Sequence, residues 1–145
     1  MASCQVRKIP GEIQSMDKLR SFNIAKNQLV ALPNEVGELT ALEELVLKEN
    51  NLKEVPSTMV NLQQLQVLDL AGNHHFNALP DFLASLAPTL QALHVSNINL
   101  NEIPEWIGDF VELREFTARD NVLISRVPCA SYFLLHNRSG TYFVL

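Results

Sequence analysis

Residues Leu42–Leu62 read LEELVLKENNLKEVPSTMVNL. Leu45 and Leu47 alternate with Glu44, Val46 and Lys48, a period of two that puts one set of side chains on each face of a short strand. Asn50 and Leu52 follow, then Val55, Pro56, Met59 and Leu62. Proline fixes φ, carries no N–H and cannot sit inside a paired strand, so Pro56 opens a return segment. Apolar residues three apart after it point back to the side that the strand leucines face.

The same grammar recurs in phase. Leu19, Leu42, Leu65, Leu90 and Leu113 stand 23, 23, 25 and 23 residues apart. Upstream the pattern runs Leu19, Phe22, Ile24, Asn27, Leu29, Leu32, Pro33, Val36, Leu39. Downstream it runs Leu65, Leu68, Leu70, Asn73, Phe76, Leu79, Pro80, Leu83, Leu86, with two extra residues, one between Asn73 and Phe76 and one near Pro88. The next copy is Leu90, Leu93, Val95, Ile98, Leu100, Ile103, Pro104, Ile107, Phe110, and the last begins Leu113, Phe116, Ala118, Asn121, Leu123, Val127, Pro128. A single copy cannot bury its own apolar face, so the copies must stack into a solenoid.

The repeated L-x-x-L-x-L-x-x-N-x-L motif resembles the leucine-rich-repeat family. The resemblance covers about residues 4–128, and the L-P-x-x-[VIL] second half is similar to the intracellular Ras-suppressor and Scribble-like branch. It implies an α/β solenoid: a curved parallel sheet of about five strands with short helical or irregular returns. Two units are expected, a repeat array over 1–128 that starts in mid-repeat and a non-repeat tail over 129–145. Asn27, Asn50, Asn73 and Asn121 should form a ladder, their amides bonding backbone groups where the chain leaves each strand. Ile98 replaces the asparagine in the fourth copy, so the ladder should be interrupted there.

Backward from Leu19 the pattern continues through Met16, Ile13, Pro10, Ile9 and Val6, and Cys4 falls on the ladder position. The missing N-terminal cap suggests a fragment, splice product or truncated gene; the alternative is a short protein whose first residues improvise a cap. In the tail, Ser131–Leu135 and Thr141–Leu145 are β-prone runs around a polar turn, a hairpin pattern. It would either cover the open edge of the sheet or be appended sequence. Phe143-Val144-Leu145 could instead add a strand to a PDZ-type groove, with a hairpin strand the preferred reading.

If the sheet packs one face on the core, the alternate strand residues carry recognition. They are Ser21, Asn23 and Ala25; Glu44, Val46 and Lys48; Val67, Asp69 and Ala71; Ala92, His94 and Ser96; and Glu115, Thr117 and Arg119. Lys26, Glu49, Asn97 and Asp120 flank the edge. The centre is small and apolar and charges ring it, the anatomy of a protein interface. No aromatic anchor stands there.

Other chemistry is weaker. Asp69, His94 and Thr117 fall in one column and have the residue types of a catalytic triad. An open face offers no oxyanion hole and no pocket that excludes water, so a hydrolase is the remote alternative and no catalytic residue is assigned. His74 and His75 are adjacent in the loop insertion, poor geometry for one shared ion, so no metal site is assigned. Trp106 is expected to pack over its neighbours on the return side.

Bulk properties narrow the field. The chain has 145 residues, 47% hydrophobic and 19% charged, with net charge −5 and eleven dispersed basic residues. That excludes a cationic nucleic-acid stripe, and no apolar run approaches the roughly 20 residues of a membrane span. The N-terminus lacks a signal-peptide pattern, Ala2 rules out myristoylation, and the sequon at Asn137 is expected to stay unused. Cys4 and Cys129, at opposite ends of a solenoid, should be reduced thiols, which fits a cytoplasmic protein. The expected function is a scaffold or adaptor module binding a protein on the concave face, without cofactor. The resemblance implies small GTPases, kinases, phosphatase subunits or polarity complexes as partner classes. The second reading is a truncated isoform with a regulatory role or none of its own.

Overall fold

The computed structural model describes residues 5–121 and 142–144. Six three-residue strands follow one another in space as in sequence: β1 (Ser21–Asn23), β2 (Glu44–Val46), β3 (Val67–Asp69), β4 (Ala92–His94), β5 (Glu115–Thr117) and β6 (Tyr142–Val144). All pair in parallel. Parallel neighbours need a crossover, and here each crossover is the remainder of one repeat.

The register aligns the central residue of each strand: Phe22, Leu45, Leu68, Leu93 and Phe116 are successive Cα partners. Leu45 and Leu68 are fully buried, and Leu93 and Phe116 are 1% exposed. This column is the spine of one continuous core. Phe22, Leu19 and Ile24 in the first coil are only partly buried, and among the described strands β1 pairs with β2 alone.

The returns are short 3₁₀ helices: Gly11–Ser15, Asn34–Glu38, Ser57–Asn61, Asp81–Leu86 and Glu105–Asp109. An extended proline precedes each, for example Pro33 (φ −72°, ψ 153°) and Pro56 (φ −70°, ψ 144°). The proline carbonyl accepts the first i+3 bond, from Val36 N and Met59 N at 3.1 Å. With three residues per turn, i and i+3 eclipse, so Val36 and Leu39, or Met59 and Leu62, drop onto the core together. The fourth return, Asp81–Leu86, is one residue longer than the others and absorbs one of the two extra residues of its repeat. Trp106 packs over its neighbours, its ring 5.6 Å from that of Phe110 and its indole N–H donating to Asp81 Oδ1 at 3.2 Å.

Neighbouring returns touch closely at one place. A Cβ on Gly37 would lie 2.6 Å from Thr58 Cβ and closer still to the Thr58 carbonyl oxygen. Thr58 Oγ1 meanwhile donates to Asn34 O at 2.7 Å.

In the tail, the 142–144 run is a strand and pairs in parallel with β5. The other arm of the expected hairpin, 131–135, lies outside the described residues, as do Cys4, Cys129 and Asn137. Among the described residues no helix is long and apolar enough to cross a membrane.

Candidate functional site

The chain leaves each strand through a sharp corner. Lys26, Glu49, Gly72, Asn97 and Asp120 occupy the same place in successive coils, and all have φ between 54° and 73°. That left-handed conformation costs a side-chain-bearing residue energy that glycine does not pay. Inside the corner sit the asparagines. Asn50 Oδ1 accepts from Leu29 N of the preceding coil at 3.0 Å, and its amide donates to Leu47 O at 2.8 Å and Ile24 O at 3.1 Å. Asn73 repeats this with Leu52 N (3.0 Å), Leu70 O (2.7 Å) and Leu47 O (3.2 Å). Asn27 Oδ1 accepts from Val6 N at 2.8 Å. Each amide thus satisfies backbone groups that the bend would otherwise bury unpaired.

The fourth coil departs from this pattern. Ile98 is fully buried where the amide would stand. Asn121 Oδ1 takes two donors, Ile98 N at 3.1 Å and Leu100 N at 3.0 Å. Phe76 N, at the place equivalent to Leu29 N and Leu52 N, turns to Asn73 O in its own loop at 3.2 Å. Asn77 (φ 53°) and Asn99 (φ 62°) then join side chain to side chain at 2.9 Å.

These corners and the spine fix the outward face. Its first column is Ser21, Glu44, Val67, Ala92 and Glu115, and its second is Asn23, Val46, Asp69, His94 and Thr117. The ladder continues beyond the strands through Lys26 N to Lys48 O, Glu49 N to Ala71 O, Gly72 N to Ser96 O and Asn97 N to Arg119 O. A third column therefore runs Ala25, Lys48, Ala71, Ser96 and Arg119.

Two expectations need correction. Val46 stands in the outward set but is only 8% exposed. Asn23 and Asp69 are its register partners across the sheet, and Glu44 and Lys48 flank it along its own strand. Asp69, in register beside His94, does not serve as its acid. Asp69 Oδ1 accepts from Ala71 N at 3.0 Å, a turn that Asn23 repeats with Ala25 N at 3.1 Å. The carboxylate facing His94 belongs to Glu115, on the diagonal, at 3.9 Å from Nδ1. Strand counting puts Glu115 on that diagonal, two residues before Thr117, but does not decide between it and Asp69.

His94 Nδ1 also lies 3.0 Å from Thr117 Oγ1. A triad holds the hydroxyl on one ring nitrogen and the acid on the other. Here both partners stand at the same nitrogen, so acid, imidazole and hydroxyl do not form a relay. His74 lies on the other side of the corner, near Asn97, Asn99 and Asp120. Among the described residues no group of three His, Cys, Asp or Glu could hold a metal ion.

What the face offers is small, half-buried floor residues with charges at its corners. Val67, Ala71 and Ala92 are half-buried, and Glu115 and Arg119 are exposed. Arg20 pairs with Glu43 at 2.8 Å and Lys26 with Glu49 at 3.9 Å. Lys48 and Arg119 make no side-chain ion pair among the described residues.

Comparison with known proteins agrees with this architecture. The model of the leucine-rich repeat region matches residues 3–128. A leucine-rich-repeat protein of Leptospira interrogans superposes with TM-score 0.78 at 31% identity, over 82% of this chain and 30% of that one. An internalin of Listeria monocytogenes superposes with TM-score 0.78 at 20% identity, over 97% of this chain and 38% of its own, a likeness of fold alone. The ectodomain of an Arabidopsis thaliana membrane receptor kinase, in complex with a Casparian strip integrity factor, gives TM-score 0.70 at 25% identity, over 94% of this chain and 19% of its own. This chain therefore spans well under half the length of these neighbours. Comparison with curated protein sequences gives no match. With the in-phase repeat, the leucine spine and the parallel single-file sheet, the match over residues 3–128 means that the chain belongs to the leucine-rich-repeat family.

Proposed function

We propose that this chain is a protein-binding module without enzymatic activity, seating its partner on the outward sheet face, the concave side of such an array. One observation carries the reading: the fold spends its large apolar side chains on the core, yet gathers Val67, Ala71 and Ala92 on the outward side with charges around them. An apolar centre with a polar rim is how interfaces exclude water and keep specificity. Members of the family are commonly protein-interaction modules, and the receptor-kinase neighbour holds a partner in its complex. A scaffold or adaptor role in the cytoplasm, kinship with the Ras-suppressor and Scribble-like branch, and partners among small GTPases, kinases, phosphatases or polarity proteins belong to the same proposal.

The test is a comparative affinity capture of wild type and Val67→Glu/Ala92→Glu. Both positions are half-buried and outward, so the variant should fold with an unchanged thermal midpoint. Specific partners should be lost. Partners that persist at wild-type level on the charged face would overturn the reading.

A further inference from the structure

Charge on the outward face is sorted by column. Where the chain enters the strands the charged residues are Glu44 on β2 and Glu115 on β5; where it leaves them they are Lys48 and Arg119, on the same two coils. Among the described residues none of the four is in an ion pair closer than 3.9 Å: Glu44 accepts the Ser21 hydroxyl at 2.6 Å, and Glu115 has His94 at 3.9 Å. Between β2 and β5 the floor is Val67 and Ala92 at the acidic end and Ala71 and Ser96 at the basic end.

Elementary dimensions limit what can occupy such a face. Three strand spacings put the two members of each charged pair ~14 Å apart, and four residues of strand separate acid from cation by ~13 Å. An extended peptide is one strand spacing wide and cannot meet both sides at once. An α-helix is ~10–12 Å across and rises ~5.4 Å per turn, so three turns laid along the strands fill the floor between β2 and β5. Small floor residues allow that close approach. Asp69 and His94 stand on the midline, one already bonded to Ala71 N and the other to Thr117, and each keeps a second atom for a partner.

Resting on the reading of this face as a partner-binding surface, we infer that its occupant is a helical segment of defined direction. Its N-terminal turn lies over Glu44 and Glu115 and its C-terminal turn over Lys48 and Arg119. That direction sets the helix dipole, positive at the N-terminus, against the sorted charges. The contacting stripe carries small apolar residues at both ends and a hydrogen-bonding residue at its centre.

The test uses two hydrocarbon-stapled peptides of about 14 residues, ~21 Å of helix, with an Ala/Val stripe and one central Gln. One bears Lys in its first turn and Glu in its last; the other has the reverse order. The staple holds both helical whatever the charge order. Affinity for the full chain is read by titration, with the methyl resonances of Val67 and Ala92 reporting location. The Lys-first peptide should bind about tenfold tighter, and the Lys48→Glu/Arg119→Glu variant should abolish or invert that preference. Equal affinity of the two peptides, with methyl shifts present, would overturn the directional helix while leaving the face a binding surface. Equal or tighter binding of an unstapled, proline-broken peptide of the same composition would overturn the helix. Absence of methyl shifts with every peptide would overturn both the direction and the face.

Discussion

The side-chain amide of Asn99 donates to Oδ1 of Asn77, 2.9 Å away, beside the one interruption of the asparagine ladder among the described residues. The two residues come from adjacent coils and both take left-handed backbone conformations. Their pairing links two irregularities that look unrelated in sequence. Ile98 removes the amide that would have accepted the N–H at position 76, and the insertion after Asn73 lets that N–H bond Asn73 O instead. The insertion and the missing asparagine are two halves of one local solution.

The intact rungs should therefore cost more to remove than the repair. Asn50→Ala removes a buried amide that makes four hydrogen bonds and leaves Leu29 N and the carbonyls of Ile24, Leu47 and Lys48 each short of a partner. Unsatisfied buried groups cost ~1–3 kcal/mol each before relaxation, so a loss of about 3 kcal/mol is expected. Asn77→Ala removes one exposed bond and should cost no more than about 1 kcal/mol. Urea unfolding of both variants checks the order; equal losses would contradict it.

Gly37 is required by proximity rather than by φ. In Gly37→Ala the new methyl meets the Thr58 backbone and Cβ, so the returns Asn34–Glu38 and Ser57–Asn61 must separate. Overpacking of this kind costs about 1–3 kcal/mol. The thermal midpoint should fall, and Thr58→Gly in the Gly37→Ala background should recover part of the loss only if the contact is with the side chain. No recovery is the expected result, because the nearest obstacle is a carbonyl.

At the corners the balance reverses. Glu49 holds φ 54° with a side chain that gains only an exposed ion pair to Lys26 at 3.9 Å. Glu49→Gly should leave stability unchanged or raise it by up to about 1 kcal/mol, since relief of the left-handed strain is offset by the added freedom of the unfolded glycine. Gly72→Ala, at φ 73° with its Cβ 3.2 Å from Glu49 Cγ, should lower stability by about 1 kcal/mol. Paired denaturant melts decide both signs.

Along the spine, cost should follow coverage. Leu68→Ala opens a cavity in a fully buried column and should cost about 2–5 kcal/mol. Phe22→Ala removes a larger side chain that is only partly buried and should cost less than Leu68→Ala. In a nearest-neighbour array, the end coil should also exchange its amides faster than the centre. Hydrogen exchange resolved by residue would show protection rising from β1 to β3, and uniform protection would count against the stacked-coil picture.

Much of this molecule was legible before any coordinates. Leucine spacing gives the coils, alternation gives the inward and outward sets, and proline marks where each return begins, because these are local consequences of φ restriction and of a two-residue strand period. The Asp69, His94 and Thr117 column was predictable for the same reason: in-phase coils align in register. What sequence could not supply was the state of each outward side chain. Val46 is only 8% exposed, and that burial depends on how the adjacent coils stack beside it. Whether His94 meets Asp69 or Glu115 turns on Asp69 being drawn to its own backbone at Ala71 N. Burial and side-chain pairing are set by distances between residues ~21–25 apart in the chain, and only the stacked structure brings those residues together.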